Sequence, residues 1–276
     1  MGAVLAAAPI AAQAQPRDLL FERTVMVAAG ARCALFAPQI AGALSASALQ
    51  ARGAVLRSGA EPQAVAEVER QARERAAALD CRSAELAQAV ARVQDAFSGY
   101  ARLTRMAYPG DTATWRADRN LSRAARWRLA QEARFPGGRM TFGLAGRDPD
   151  GALLAVAQFV QDASPYAARI SLRDSARAGA PYLRGPLLAS RLPPAAALKS
   201  YLAEARSPAG ADLLPKDARG GWAFRFPPAA ISALASLDPR EAARIEFLLP
   251  DGSSATAYVE VGDFAAGRAF LQVASR

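Results

Sequence analysis

Histidine is missing from all 276 residues, and no other absence excludes as much chemistry. Without an imidazole there is no Ser-His-Asp triad, no Cys-His dyad, no HExxH zinc site and no two-histidine facial triad. Cysteine occurs twice, as Cys33 and Cys81, too few for a four-thiolate zinc site. The chain also lacks a G-x-S-x-G elbow, an S-x-x-K motif, a P-loop and a G-x-G-x-x-G fingerprint. No metal and no cofactor is therefore predicted, and any catalysis has to come from carboxylates, tyrosine, serine or lysine.

Other scarcities bound the fold and the compartment. Aromatic residues make up only 7% while hydrophobic residues reach 52%, so alanine carries much of the apolar content and helices are expected to pack closely on small side chains. Lysine occurs only as Lys199 and Lys216, leaving arginine to supply nearly all the positive charge. Enrichment of Ala, Arg, Gly and Pro together is also what GC-rich coding produces. No apolar run reaches the length of a transmembrane helix, and Ala3 to Ala12 is too short to span a bilayer. That run ends on Ala12-Gln13-Ala14, an A-x-A cleavage pattern, so residues 1–14 are read as a signal peptide whose missing basic start either lies upstream or has been clipped, with an ordinary alanine-rich N-terminal helix as the alternative. The mature protein is then expected to be periplasmic or secreted, where a disulfide persists.

From Leu19 to about Tyr108 apolar residues recur at helical spacing. Gly59 reads as the residue closing one helix, Pro62 as the first residue of the next, and Ser83 as the cap of another. Cys33 lies 27 residues before Ala60 and Cys81 21 after it, a mismatch of roughly 9 Å along ideal helices. A Cys33–Cys81 disulfide is predicted, and that mismatch requires a helix break near Pro38 or a non-helical joint at Cys81. A helical domain is placed at 17–107.

Past Tyr108-Pro109-Gly110-Asp111 the period changes to two, and a β-rich domain is placed at 111–276. Strands are predicted at 112–119, 126–135, 139–147, 153–160, 168–173 and 222–226, with a hairpin from Ile245 through the Pro250-Asp251-Gly252-Ser253 turn to Val261. A helix remains the alternative for 121–131. Short helices are predicted at 195–205 and from Pro228 to Leu237, and Asp263 is read as a cap for the backbone after it. The fold class is α+β: an N-terminal helical hairpin or bundle followed by an antiparallel β-sandwich-like domain of seven or eight strands.

Charge is unevenly spread. Between residues 102 and 147 stand ten arginines against three carboxylates, which places +7 of the net +9 in one sixth of the chain. An arginine-rich strand face suits phosphate or carboxylate, because the guanidinium fork matches both and attracts anions at range. The candidate anion-binding residues are Arg116, Arg119, Arg123, Arg126, Arg128 and Arg134, with Trp115 and Trp127 read as core anchors on the opposite face. An anionic envelope component or an acidic protein is the expected partner rather than nucleic acid; the oligomeric state is left open. Asp148 and Asp150 form a carboxylate pair only on paper, since Asp148-Pro149-Asp150-Gly151 is first a turn.

Gly221-Trp222-Ala223-Phe224-Arg225-Phe226-Pro227, the following hairpin, and Phe264-Ala265-Ala266-Gly267-Arg268-Ala269-Phe270 resemble the C-terminal half of the invasion-associated locus B family of secreted bacterial proteins. The likeness covers at most the last third and carries over no catalytic residue; that family usually has cysteines in its β domain, and this chain has none there. The leading expectation is a non-enzymatic envelope binding or interaction module. The alternatives are a carboxylate-dependent hydrolase and a helical adaptor for a protein partner.

Overall fold

In the computed structural model, which describes residues 15–149, 151–160 and 163–273, four helices precede two antiparallel sheets. The predicted signal peptide and Asp150 lie outside the described residues. The helices are α1 (Pro16–Cys33), α2 (Pro38–Arg57), α3 (Pro62–Ala78) and α4 (Ala84–Tyr100). The first three each open on proline, whose fixed φ suits the first turn and whose missing N–H is no loss there. Helix α4 opens instead on Ser83, whose hydroxyl accepts the Leu86 amide at 3.2 Å. Gly59 ends α2 at φ +96°, a conformation that side chains rarely adopt.

Cys33 and Cys81 are bonded, with Cα atoms 5.7 Å apart. Both solutions to the register mismatch are present. Helix α1 stops at Cys33 before α2 restarts at Pro38, and Cys81 lies in the non-helical joint between α3 and α4. Helices α1, α2 and α3 share two apolar clusters, one around Met26, Leu44 and Ala72, the other around Leu20, Val55 and Val68.

The remaining chain folds as β1 (Arg105–Pro109), β2 (Thr114–Asp118), β3 (Arg126–Phe135), β4 (Gly138–Gly146), β5 (Ala152–Phe159), β6 (Ala167–Arg173), β7 (Leu198–Leu202), β8 (Ala205–Pro208), β9 (Trp222–Phe226), α5 (Pro228–Ala235), β10 (Ala242–Leu248), β11 (Ser254–Glu260) and α6 (Phe264–Leu271). One sheet runs β1-β2-β3-β4-β5-β9-β8 and the other β11-β10-β6-β7, all neighbours antiparallel. Trp115, Phe142, Phe224 and Phe226 from the first sheet meet Ile170, Ile245 and Phe247 from the second in one core, closed at one end by Phe264 and Phe270 of α6. The α+β class with N-terminal helices and a sandwich-like β region is what the structure has.

Several local expectations are corrected. Arg105–Pro109, expected to continue the helix, is a strand, because Tyr108 turns inward opposite Trp115 of β2. Residues 195–205 hold only a short 3-10 turn before β7 begins; the strand pairs with β6, and Ser200 and Ser171 share a hydroxyl bond of 2.8 Å. Among the described residues there are eleven strands rather than seven or eight. The 121–131 region is a strand from Arg126 onward, not a helix. Asp263 does not cap α6 with its side chain; its carboxylate is taken by Arg57 of α2 through two bonds of 2.8 Å.

Candidate anion site on the outer sheet face

A one-residue irregularity in β3 decides what the arginine-rich segment can do. Trp127 pairs with Ala145 and Leu129 with Leu144, so Arg128 is an extra residue in the strand. The bulge is accommodated across the ladder by Gly143, at φ +150°, where an added Cβ would lie 1.9 Å from the Leu129 carbonyl oxygen. Leu129, Gln131 and Phe135 consequently face the core, while Trp127 shares the outer face with Ala130 and Glu132. Trp127 is therefore not the core anchor expected; Trp115, which is fully buried, is.

The bulge also buries Arg128, whose guanidinium donates to the carbonyls of Gly146 at 3.1 Å, Asn120 and Arg147. Arg119 is buried as well, donating to the carbonyls of Leu103, Ala101 and Val273 and lying 4.6 Å above the Phe270 ring. These two guanidinium groups satisfy backbone acceptors that the fold leaves unpaired, and neither belongs to a solvated face. Of the other predicted residues, Arg126 lies 4.0 Å from Asp118, Arg116 lies 3.7 Å from Glu132, and Arg123 is exposed in the connection before β3. Of these six arginines only Arg134 borders the cavity of about 770 Å³ on the outer sheet face.

That cavity exists because residues 209–221 lie across the outer face of the seven-stranded sheet. The loop is closed at its base by the Ala209 amide donating to the Gly221 carbonyl at 2.8 Å. Two contacts hold it down. The Trp127 indole donates to the Leu213 carbonyl at 3.0 Å, and Asp217 pairs with Arg139 at 2.8 Å. On the β9 side of the loop a cavity of about 770 Å³ is walled by Arg134, Arg139, Asp217 and Arg219 together with Phe159, Val160 and Trp222. A cavity of about 350 Å³ shares Arg134, Arg139 and Gln158 with it, and one of about 520 Å³ continues toward β1 past Pro215.

By its described lining residues the larger cavity is cationic. Arg134 and Arg219 form no ion pair at contact distance with any described residue, and Asp217 is the single carboxylate among the described lining residues. The Arg139 guanidinium beside Asp217 holds that carboxyl below the usual range, and the more distant Arg134 acts in the same direction. Gln158 accepts from Nε of Arg139 and fixes its fork, while Arg206 lies 3.4 Å over the Trp222 ring and donates to Ser164 at 2.6 Å. Arg139 stood among the ten arginines of the basic segment, but Arg206, Arg219 and Trp222 come from distant stretches. No local pattern marks them, because only the pairing of β5 with β9 and β9 with β8 brings them together.

The 520 Å³ cavity holds two carboxylates, Asp118 and Glu132. Burial pushes the Asp118 carboxyl up, but the Asn120 backbone amide and the Arg105 guanidinium outweigh it and hold it below the usual range. Both carboxylates face arginines. Among the described residues no helix is long and apolar enough to cross a membrane. Comparison with protein-family models, characterised proteins and solved structures gives no match to this chain, so nothing in them bears on the likeness to the invasion-associated locus B family.

Proposed function

We propose that the protein is a non-enzymatic binding module of the periplasm or the secreted space that takes an anionic envelope component on the outer face of its seven-stranded sheet. One observation carries this reading: Arg134, Arg139 and Arg219 converge on one cavity that contains a single carboxylate among its described lining residues. Among the described lining residues, three guanidinium groups surround one acidic side chain, an excess of positive charge that favours a carboxylate or phosphate ligand. The disulfide supports the oxidising compartment.

The hydrolase alternative draws less support. A glycoside-hydrolase type of mechanism needs one carboxyl kept protonated beside an ionised one, whereas Asp118 is held ionised and Glu132 faces Arg116.

Binding of the full chain to phosphatidylglycerol vesicles, measured by co-sedimentation as salt is raised, tests the proposal. Binding is expected to weaken steadily with salt and to disappear in the R134E/R219E double variant, whose altered side chains are both exposed. Arg128 is unsuited to this test because its buried guanidinium serves three backbone carbonyls around the bulge. Absence of binding at low salt, or binding indifferent to the double variant, would overturn the reading.

A further inference from the structure

Within that proposed site, Asp217 occupies a position a ligand could take. Its carboxylate sits on Arg139 at 2.8 Å, yet its side chain is 71% exposed and is carried by a loop rather than by the sheet. An exposed pair of this kind is weak and exchangeable. Arg139 is different: Nε is held by Gln158, so its Nη groups stay aimed at the cavity whether or not Asp217 is present. Arg134, on the same wall, lacks a contact partner among the described residues and already acts on the Asp217 carboxylate at range.

The apolar wall restricts what else the ligand carries. Val160 is 85% exposed at the cavity, an unusual placement for a large aliphatic side chain, and Pro208 lies nearby. The rings offer little for stacking. One face of Trp222 is covered by Arg206 at 3.4 Å, and Phe159 is engaged edge-on with Phe135 at 5.5 Å and Phe247 at 5.6 Å. A nucleobase or an aromatic acid therefore cannot be sandwiched between two rings here. A flexible alkyl chain fits the aliphatic surface that remains.

We propose that the site binds an amphiphilic anion, a carboxylate or phosphate head on an alkyl chain, whose head displaces Asp217 from Arg139 and settles between Arg139 and Arg134 while its chain lies along Val160 and Pro208. Asp217 is then an internal competitor that sets the affinity. This inference rests on the binding-module reading above and is tested separately from it.

The experiment is isothermal titration calorimetry of the full chain with dodecyl phosphate and dodecanoate below their micellar concentrations, and with inorganic phosphate. In D217N, dodecyl phosphate is expected to bind roughly two- to fivefold tighter, the range a weak exposed pair allows. D212N makes the same charge change on the same loop without touching Arg139 and is expected to gain less. V160N, a neutral polar change at an exposed position, is expected to weaken dodecyl phosphate severalfold and leave inorganic phosphate unchanged.

Equal gains in D217N and D212N, or inorganic phosphate binding as tightly as dodecyl phosphate, would overturn the inference. If wild type binds phosphatidylglycerol vesicles through Arg134 and Arg219 while D217N behaves as wild type, this inference falls and the binding-module reading stands. If no anion binds any variant, both fall.

Discussion

Arg57 of α2 and Asp263, just ahead of α6, are joined by two parallel hydrogen bonds of 2.8 Å that span 206 residues of sequence. The aspartate side chain is 3% exposed and the arginine 17%, so the fork that closes the helical layer onto the β region is largely shielded from water. Removing one partner leaves the other charge buried alone. Arg57→Ala is expected to lower unfolding free energy by about 3 kcal/mol in urea titrations. An effect within about 0.5 kcal/mol, typical of an ordinary surface substitution, would show that the pair does not hold the layers together.

Gly53 tests the same contact from the other side. In the middle of a helix, Gly→Ala ordinarily gains close to 1 kcal/mol. Here an added Cβ would sit 2.1 Å from Oδ1 of Asp263, so Gly53→Ala is expected to destabilise despite its better helix propensity. A thermal midpoint at or above that of wild type would contradict this packing.

Glu260 ends β11 fully buried, and its carboxylate accepts the amides of Asp111, Thr112 and Ala113 and the Thr112 hydroxyl at 2.7 to 2.9 Å. Replacing it with glutamine presents an NH2 group to donors that need acceptors. Glu260→Gln is expected to cost about 3 kcal/mol, in line with the loss of hydrogen bonds to a charged group. Hydrogen exchange at the three amides provides the local readout: unchanged protection would rule out this account of the β1–β2 turn.

The Cys33–Cys81 bond closes a separation of 48 residues. In the loop-entropy account such a crosslink contributes about 4 kcal/mol. The C33S/C81S variant is expected to lose stability of that order, with intact mass before and after reductant confirming the bond in wild type. A variant as stable as wild type would mean that the helical clusters hold the joint without it.

Asp118 supplies the pH dependence. It accepts from Arg105 at 3.0 Å, from the Asn120 amide at 2.9 Å and from the Asn120 side chain at 2.8 Å. Its folded carboxyl releases its proton at lower pH than the unfolded one. Its stabilisation is therefore complete above about pH 5, beyond the unfolded carboxyl's titration, and drains away as the pH falls below that value. The stability gap between wild type and Asp118→Asn is expected to narrow between pH 5 and pH 2 in denaturant titrations. A gap that widens on acidification would reverse the sign argued here.

The elements most legible in the sequence were those fixed by local chemistry. Trp222–Phe226 alternates cleanly and is a strand over those residues, and Ser83, Gly59 and Pro62 punctuate the helices where their side chains predict. Cys33 and Cys81 were legible as a pair because the chain offers neither any other partner. Arg128 and Trp127 were misplaced for one reason: a single extra residue in β3 exchanges the faces of everything before it, and the glycine that admits it, Gly143, is on the neighbouring strand. Arg119 was misplaced because its acceptors, Leu103, Ala101 and Val273, are carbonyls that no side-chain pattern reveals. Of the cavity wall, only Arg134 is among the six candidate arginines, since the loop at 209–221 that makes a cavity of the sheet face carries no periodic signal.

The bonds from Arg57 to Asp263 and from Asp111 to Glu260 also impose an order on chain growth. A ribosome delivers α2 and the β1–β2 turn some 150 to 200 residues before the side chains that seal them. Until then the small-residue face of α2 around Ala43 and Ala46 lacks α6 as its cover. Contacts this distant in sequence close late and slowly, which leaves the nascent helical layer open to premature association until the C-terminal helix arrives.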